Sequence, residues 1–326
     1  MSQSLLLLTR AEIERLVPLG EAIRAVEGAF LEFGRGNALL FPVIRERIDP
    51  YGGFFGVKAG YLASRGWLGY KGGGFWASNR ERGLAGHQSV IALYDPETGV
   101  PRALMDGNYL TVVRTGAAGA IAARYLARQN SHVAAIIGSG VQGRIQLAAL
   151  REVLPIEEVR CFDARQESSR ALAEAAGQSG LRARCCPSAR AAVEGADVVV
   201  TATPSFQPVI SDQWISPGTH INAMGADTRG KQELDPLILA RAKVVVDYLA
   251  QAREIGECQH AFRAGLLASV HAELGQIVAG LAPGRETETE ITVFDSTGIA
   301  LQDLAVADLA CRAAQACGAG LAVQLD

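Results

Sequence analysis

The stretch from Val133 to Gly143 has the residue types and the spacing of a dinucleotide-phosphate site. An apolar run stops abruptly at three glycines, Gly138, Gly140 and Gly143. Gly138 would permit a tight strand-to-helix turn, Gly140 would let the backbone approach a pyrophosphate, and Gly143 would let the helix pack close to the strand. The free N–H groups that begin this helix favour an anion. We therefore predict a phosphate cradle here, against the alternative of an ordinary glycine-rich turn.

A carboxylate follows the next apolar run at the distance that a nucleotide site requires. Val159–Phe162 ends at Asp163, about twenty residues beyond Gly143, where a carboxylate can hydrogen-bond the ribose hydroxyls. Asp163 would repel a 2′-phosphate and so favours NAD(H) over NADP(H). Arg165 would partly offset this preference or stack on the adenine.

Several cations precede this stretch and could bind an anionic substrate. Arg45 and Arg47 lie two apart on a probable strand and so share one face, and Lys58 and Lys71 lie on later strands. Arginine can hold a carboxylate through two parallel hydrogen bonds. A dicarboxylate would need one more cation, and the candidates are Arg47, Lys58, Arg65, Arg80, Arg229 and Lys231. The alternative interpretation is a solvated strand face.

Two further residues are sharper candidates. Arg114 is the one cation in a small, apolar helical segment that should be mostly buried, so it needs an anionic partner such as a ligand carboxylate or phosphate. Asp227 follows a predicted core strand at its carboxyl end and would reach the crevice that holds a nicotinamide. A turn or helix-capping aspartate is the alternative for Asp227.

The elements that must position these residues divide the chain into two domains. Residues 1–118 predict two helices and a mainly antiparallel sheet, an α+β domain completed by a closing helix in residues 298–326. Residues 119–297 alternate strands and helices, which predicts a Rossmann-type α/β domain with a doubly wound parallel sheet. Its predicted strands are Val133–Ile137, Val159–Phe162, Leu181–Arg184, Val198–Thr201, His220–Asn222, Val244–Val246 and Ile291–Phe294. One long helix, Asn108 to Arg128, joins the two domains.

Composition excludes several classes of function. The 326 residues are 49% hydrophobic, and 31 basic against 34 acidic residues give a net charge of −3. No overall positive field would attract nucleic acid or an anionic membrane. The six cysteines and five histidines show no metal-ligand spacing, so no metal is predicted. Reduced thiols and a short apolar opening favour a cytoplasmic protein.

Four motifs in order resemble the ornithine cyclodeaminase/mu-crystallin family, and the similarity covers nearly the whole chain. They are Leu110–Thr115, Gly138–Gly143, Asn222–Asp227 and Phe294–Gly298. The family includes cyclodeaminases, archaeal-type alanine dehydrogenase, ketimine and pyrroline-2-carboxylate reductases, and a hormone-binding crystallin. The resemblance therefore implies the fold more firmly than the reaction. It also implies a homodimer built through the N-terminal sheets.

The resemblance assigns roles position by position. It makes Arg45, Lys71 and Arg114 the carboxylate-binding group, with Lys71 also catalytic, and Asp227 the acid/base or imine-binding residue. The residues that would line the cofactor are Thr115, Gly138, Ser139, Gly140, Val141, Gln142, Asp163, Arg165, Thr203, Met224 and Ser296. Local runs around Arg45, Lys71, His87 and Asp227 are most similar to the iminosuccinate reductase branch.

The leading hypothesis is therefore reduction of an α-imino acid to an L-amino acid, with iminosuccinate to L-aspartate as the most specific form. The alternatives are an ornithine or lysine cyclodeaminase, an alanine dehydrogenase and a cyclic ketimine reductase. A cofactor-dependent ligand-binding protein is a third class, which the retention of Asp227 and the three cations disfavours.

Overall fold

A computed structural model describes residues 4–325, except for the side chain of Arg80. The chain forms two compact units. The first unit runs to Arg114 and resumes at Ile299, and the second unit is Thr115–Gly298.

Strands and helices are numbered in chain order. The strands are β1 Ser4–Leu8, β2 Ala38–Leu40, β3 Ile44–Ile48, β4 Gly53–Leu62, β5 Trp67–Trp76, β6 His87–Tyr94, β7 Pro101–Asp106, β8 Val133–Ile137, β9 Glu158–Phe162, β10 Arg182–Cys185, β11 Val198–Thr201, β12 Phe206–Ile210, β13 His220–Ala223, β14 Gln232–Leu234, β15 Lys243–Val246, β16 Ala272–Glu273, β17 Thr292–Asp295 and β18 Leu321–Gln324. The helices are α1 Arg10–Leu16, α2 Leu19–Gly34, α3 Gly107–Leu126, α4 Val141–Arg151, α5 Gln166–Gln178, α6 Ala189–Val193, α7 Pro236–Arg241, α8 Leu249–Ile255, α9 Cys258–Arg263, α10 Leu274–Val278 and α11 Ala300–Cys317.

The first unit contains an eight-stranded sheet with the order β18-β1-β7-β6-β5-β4-β2, in which β3 also pairs with β4. Its strands are antiparallel, as predicted, except that β1 runs parallel to β7. The register assigns side chains to two faces. Lys58 pairs with Lys71, and Arg45 pairs with Gly56, two positions before Lys58, so all three cations lie on one face.

Helix α11 packs on this cation-bearing face. A Cβ added at Gly60 would touch Ala300 and Leu301, and one added at Gly69 would meet Leu304. Glycine on β4 and β5 thus lets the helix approach the sheet closely. The same packing brings Asp303 of α11 within hydrogen-bond distance of Lys71.

The second unit contains an eight-stranded, all-parallel sheet with the order β10-β9-β8-β11-β13-β17-β15-β16. Every predicted strand of this sheet is confirmed, with β8 and β11 at the predicted bounds. Strand order reverses at β8, whose neighbours are β9 and β11. In doubly wound sheets, ligands bind at the carboxyl ends of the strands beside such a reversal.

The chain also forms elements that sequence patterns did not predict. The apolar opening Leu5 to Leu8 belongs to β1 and pairs with β7 and β18. Strands β12 and β14 form a separate parallel pair, although β12 contains Pro208. Among residues 4–325, no helix is long and apolar enough to cross a membrane.

Candidate functional site

A buried ion cluster on the first unit joins two of the predicted substrate cations. Lys71 Nζ lies 3.0 Å from Asp303 Oδ1, and Arg114 Nε lies 3.1 Å from the same oxygen. The three residues come from β5, α3 and α11, and all three are buried. With Lys71 protonated, two cations and one carboxylate leave one net positive charge, which an incoming carboxylate can neutralise.

Polar atoms in this cluster still have hydrogen-bonding capacity. Arg114 Nη1 donates to Gln302 Oε1 at 2.9 Å. Gln302 Nε2 and Asp303 Oδ2 are buried and have no hydrogen-bond partner among the residues that the structure describes. Because a buried donor without a partner is costly, Gln302 Nε2 favours a ligand that brings an acceptor oxygen.

Burial and charge set the protonation of the cluster. Burial lowers the pKa of Lys71 to about 7, with Arg114 adding to this and Asp303 opposing it. Burial alone would raise the pKa of Asp303, but Lys71 and Arg114 hold it below its ordinary value. Asp303 is therefore ionised at neutral pH, and Lys71 can change its protonation when an anion binds.

Other polar residues share this face of the sheet. The Arg45 guanidinium lies 4.3 Å from the centre of the Phe54 ring, a cation–π contact on the neighbouring strand. Lys58 is half-buried directly opposite Lys71. His87 hydrogen-bonds Asn108 Oδ1 at 3.3 Å, and burial, together with Lys71, lowers the pKa of His87 to about 4, so it is neutral.

Sequence reasoning missed Asp303 and Gln302. The available signal was a polar pair inside the closing helix, whose neighbours are all apolar: Ala300, Leu301, Leu304 and Ala305. A buried aspartate in such a helix requires a cation, just as the argument for Arg114 required an anion.

The glycine-rich turn of the second unit has the predicted geometry. Gly138 adopts a φ of 98°, which disfavours any side chain there. A Cβ at Gly143 would collide with Gly138 O, whereas one at Gly140 would meet open space. Gly140 is also the N-cap of α4, so unpaired N–H groups begin there. These features fit a pyrophosphate.

Asp163 follows β9 and lies beside this turn. Its Oδ2 accepts from Ser139 N at 2.8 Å, and its Oδ1 accepts from Arg165 N at 2.8 Å. The Arg165 side chain is mostly exposed, with Nε 3.9 Å from Asp163 Oδ1. The carboxylate therefore supports the glycine turn and presents negative charge next to it.

Three further predicted cofactor residues, and Asp227, follow neighbouring strands at the same edge of the sheet. Thr203 follows β11, Met224 and Asp227 follow β13, and Ser296 follows β17. Parallel strands end at one edge, so these residues line it together with the glycine turn. Asp227 is 38% exposed at its side chain, and its Oδ1 accepts from Lys231 Nζ at 2.8 Å.

Thr115, on α3, contacts the middle of α4, and Gln142 lies in the first turn of α4. Gln146 of α4 donates to Thr115 O at 2.8 Å, which ties this part of α3 to the helix that follows the glycine turn. Gln142 Oε1 is buried and has no hydrogen-bond partner within the described part of the chain. Val141 is largely exposed at the first turn of α4.

The candidates for a second substrate cation differ in solvent exposure and in their contacts. Arg47 and Arg229 are mostly exposed and pair with Asp49 and Glu254. Lys231 forms an ion pair with Asp227, and Arg65 is exposed near the Trp67 ring. The Arg80 side chain lies outside the described residues. Lys58 is the candidate that is half-buried on the same sheet face as Lys71.

Replacing Asp303 by Asn should destabilise the fold strongly, because Arg114 cannot lose its proton and would remain buried with its charge uncompensated. We expect a loss of about 3–5 kcal/mol in the free energy of unfolding, measured in urea. Asp308→Asn is the control, since Asp308 lies on the same helix and pairs with the mostly exposed Arg312. That change should cost at most about 1 kcal/mol. Equal losses in the two variants would contradict the account.

Comparison with known proteins agrees with this architecture. Residues 3–316 match the model of the ornithine cyclodeaminase/mu-crystallin family. An alanine dehydrogenase from Archaeoglobus fulgidus is 44% identical over 93% of this chain and 92% of its own. An iminosuccinate reductase from Paracoccus denitrificans is 41% identical over 98% of this chain and 100% of its own.

A solved structure is similarly close. The structure of an archaeal alanine dehydrogenase dimer with bound NAD superposes with a TM-score of 0.95 and 42% identity, covering 99% of this chain and 100% of the other. The fold, the motifs and these matches establish that the chain belongs to the ornithine cyclodeaminase/mu-crystallin family.

Proposed function

We propose that this protein is an NAD(H)-dependent reductase that converts an α-imino acid to an L-amino acid, with iminosuccinate to L-aspartate as the specific reaction. The observation that carries the proposal is the buried Lys71–Asp303–Arg114 cluster, whose cations and neighbouring Gln302 Nε2 offer a carboxylate charge compensation and hydrogen-bond donors. Membership of a family that contains imine reductases and amino-acid dehydrogenases supports it.

The substrate's α-carboxylate binds Arg114 and Lys71 in this proposal. Asp303 holds both cations by one oxygen, and Gln302 Nε2 is a buried donor that remains to bind an oxygen of the substrate's carboxylate. Arg45 supplies a further positive charge on the same sheet face. Orienting a planar carboxylate in this way fixes the imine carbon next to it.

The second unit would hold the nicotinamide cofactor. The turn at Gly138, the open space at Gly140 and the N-terminus of α4 fit its pyrophosphate. Asp163 would bind the ribose hydroxyls and repel a 2′-phosphate, which favours NAD(H) over NADP(H). When bound, NADH supplies the hydride that reduces the imine carbon.

Asp227 would stabilise the protonated imine nitrogen. A nearby carboxylate favours the iminium form, and an iminium accepts a hydride more readily than a neutral imine. Lys231 donates to Asp227 Oδ1, and so it fixes the carboxylate and keeps its negative charge balanced before substrate arrives.

Alanine dehydrogenase is the second candidate, because the Archaeoglobus fulgidus enzyme of that name is 44% identical to this chain. The two substrates differ in one group: the imine of pyruvate carries a methyl group where iminosuccinate carries a carboxymethyl group, which adds a second carboxylate. Lys58, half-buried beside the ion cluster, favours the dianion. The sequence resemblance also leaves a cyclodeaminase or a cyclic ketimine reductase as alternatives.

The direct test is oxidation of NADH with oxaloacetate plus ammonia and with pyruvate plus ammonia. We expect turnover with both mixtures and the higher kcat/KM with oxaloacetate. Absence of turnover with every α-keto acid and amine tested would overturn the proposal. Release of ammonia from ornithine or lysine, with no net change in NADH, would identify a cyclodeaminase instead.

Asp227→Asn should reduce kcat by about 10²–10⁴-fold, the range for loss of a positioned proton-handling group. The neutral amide cannot balance the charge of an iminium, while NADH affinity should stay unchanged. Asp212→Asn is the control, since Asp212 forms an ion pair with Arg241 in the same unit. Wild-type kcat in Asp227→Asn would remove Asp227 from the mechanism.

Lys58→Met should separate the two candidate substrates. Methionine keeps the length and apolar stem but removes the charge that would face a distal carboxylate. We expect kcat/KM for oxaloacetate plus ammonia to fall at least about tenfold, the size expected for one lost charged hydrogen bond. The value for pyruvate plus ammonia should change less than about twofold. Equal losses for both substrates would contradict a role in binding the second carboxylate.

We also propose that the protein is a homodimer through the first sheet. The register puts Leu39, Ile44, Phe55 and Val90 on the face opposite the cations, and each is 44% exposed or more. Such an apolar sheet face typically marks an interface between proteins. The archaeal alanine dehydrogenase with bound NAD is described as a dimer.

Light scattering after gel filtration tests the dimer. We expect the wild type at twice the mass of one chain and Ile44→Asp at the mass of a monomer, because a charge on that face would be buried without a partner. Leu237→Asp, at a residue 50% exposed on the second unit, should remain dimeric. A wild-type monomer, or a dimeric Ile44→Asp, would contradict this interface.

A further inference from the structure

A buried carboxylate joins two of the loops that line the sheet edge of the second unit. Glu233 is completely buried in the middle of β14, in a chain segment that the proposed reaction does not use. Its Oε1 accepts from Thr203 N at 2.6 Å. Its Oε2 accepts from Gly225 N at 2.8 Å and from Thr201 Oγ1 at 2.8 Å.

These contacts connect the strand ends that flank the predicted nicotinamide position. Thr203 follows β11, and Gly225 follows β13 and precedes Asp227 by two residues. A Cβ at Gly225 would collide with Thr203 O and with Glu233 Oε2, so the two loops meet at this carboxylate. In doubly wound folds, the half of the sheet beyond the reversal faces the second nucleotide.

Glu233 is itself held by a second buried acid. Glu257 accepts from Glu233 N at 2.7 Å and from Leu234 N at 3.1 Å. Asp295, at the end of β17, accepts from Glu257 N at 3.0 Å. The three acids therefore form a continuous series of contacts between β17 and the loops after β11 and β13, and this series fixes the position of the Glu233 carboxyl group.

We propose that Glu233 is a positioning residue for the nicotinamide half of the cofactor site. Its carboxylate accepts three hydrogen bonds and thereby fixes Thr203 and the Met224–Asp227 loop relative to each other. The glycine turn and Asp163, which would bind the adenosine half, make no hydrogen bond to Glu233 in the described part of the chain. This inference rests on the proposed nicotinamide cofactor.

Glu233→Gln tests the assignment, because an amide nitrogen cannot accept a hydrogen bond, so at least one backbone N–H loses its partner. NADH and ADP-ribose, which lacks the nicotinamide, serve as the two probes, and binding is measured by calorimetry. We expect the Kd for NADH to rise at least about tenfold, the size of one lost charged hydrogen bond. The Kd for ADP-ribose should change less than about twofold.

Controls separate positioning from loss of fold. Glu254→Gln removes an acid that is mostly exposed and paired with Arg229, and it should change neither Kd. Thr201→Val removes one of the three donors, so it should raise the Kd for NADH by a smaller factor than Glu233→Gln does. It also provides a milder variant if Glu233→Gln fails to fold.

The outcomes are distinguishable. Wild-type protein that binds neither probe would overturn the proposed cofactor itself. Suppose that the wild type binds both probes. The positioning role would then be overturned if Glu233→Gln weakened the binding of NADH and ADP-ribose equally, or weakened the binding of neither. Equal weakening of NADH and ADP-ribose binding in Thr201→Val would also overturn the positioning role.

Discussion

The first unit depends on one oxygen atom that two cations share. Asp303 Oδ1 lies within hydrogen-bond distance of Lys71 and Arg114, so it offsets the cost of burying both charges. The offset is incomplete, because two cations face one carboxylate. With Lys71 protonated, the cluster thus keeps one buried positive charge, and the carboxylate of the proposed substrate would balance it. In the proposed function, stability and substrate binding are linked through the same three side chains.

The second unit also buries ionisable groups, but these are acids rather than cations. Buried acids at the carboxyl end of the parallel sheet accept hydrogen bonds from backbone N–H groups that have no strand partner there. Asp247 accepts from Thr297 Oγ1 at 2.7 Å and from Gly298 N. Glu233 accepts from Thr203 N in the loop after β11, and Glu257 accepts from Glu233 N on β14. Burial raises the pKa of Asp295 to about 7, and hydrogen bonds from Cys258 and Glu257 oppose this rise. Irregular loops are fixed in this way at the edge where a cofactor would bind.

The sequence predicted the features that depend on local patterns. Buried parallel strands are continuous apolar runs, so β8 and β11 were predicted to the residue, and the Gly138 turn follows from the steric needs of its backbone. Contacts between distant residues could not be predicted in this way. Asp303 meets Lys71 across 232 positions and Arg114 across 189, and nothing near Asp303 in the chain indicates either partner. The same holds for Glu233, which meets Thr203 across 30 positions.

Proton uptake on binding of a carboxylate tests whether the Lys71–Asp303–Arg114 cluster is the substrate site. Succinate can be titrated into the protein in excess NAD⁺, in buffers of different ionisation enthalpy, from about pH 6 to about pH 8. Because the pKa of Lys71 is about 7 and an anion beside it raises that pKa, the account predicts uptake approaching one proton at the higher pH and little at the lower. Lys71→Arg should bind succinate without this uptake, since arginine stays protonated throughout. Binding without proton uptake in the wild type, or equal uptake in Lys71→Arg, would contradict the account.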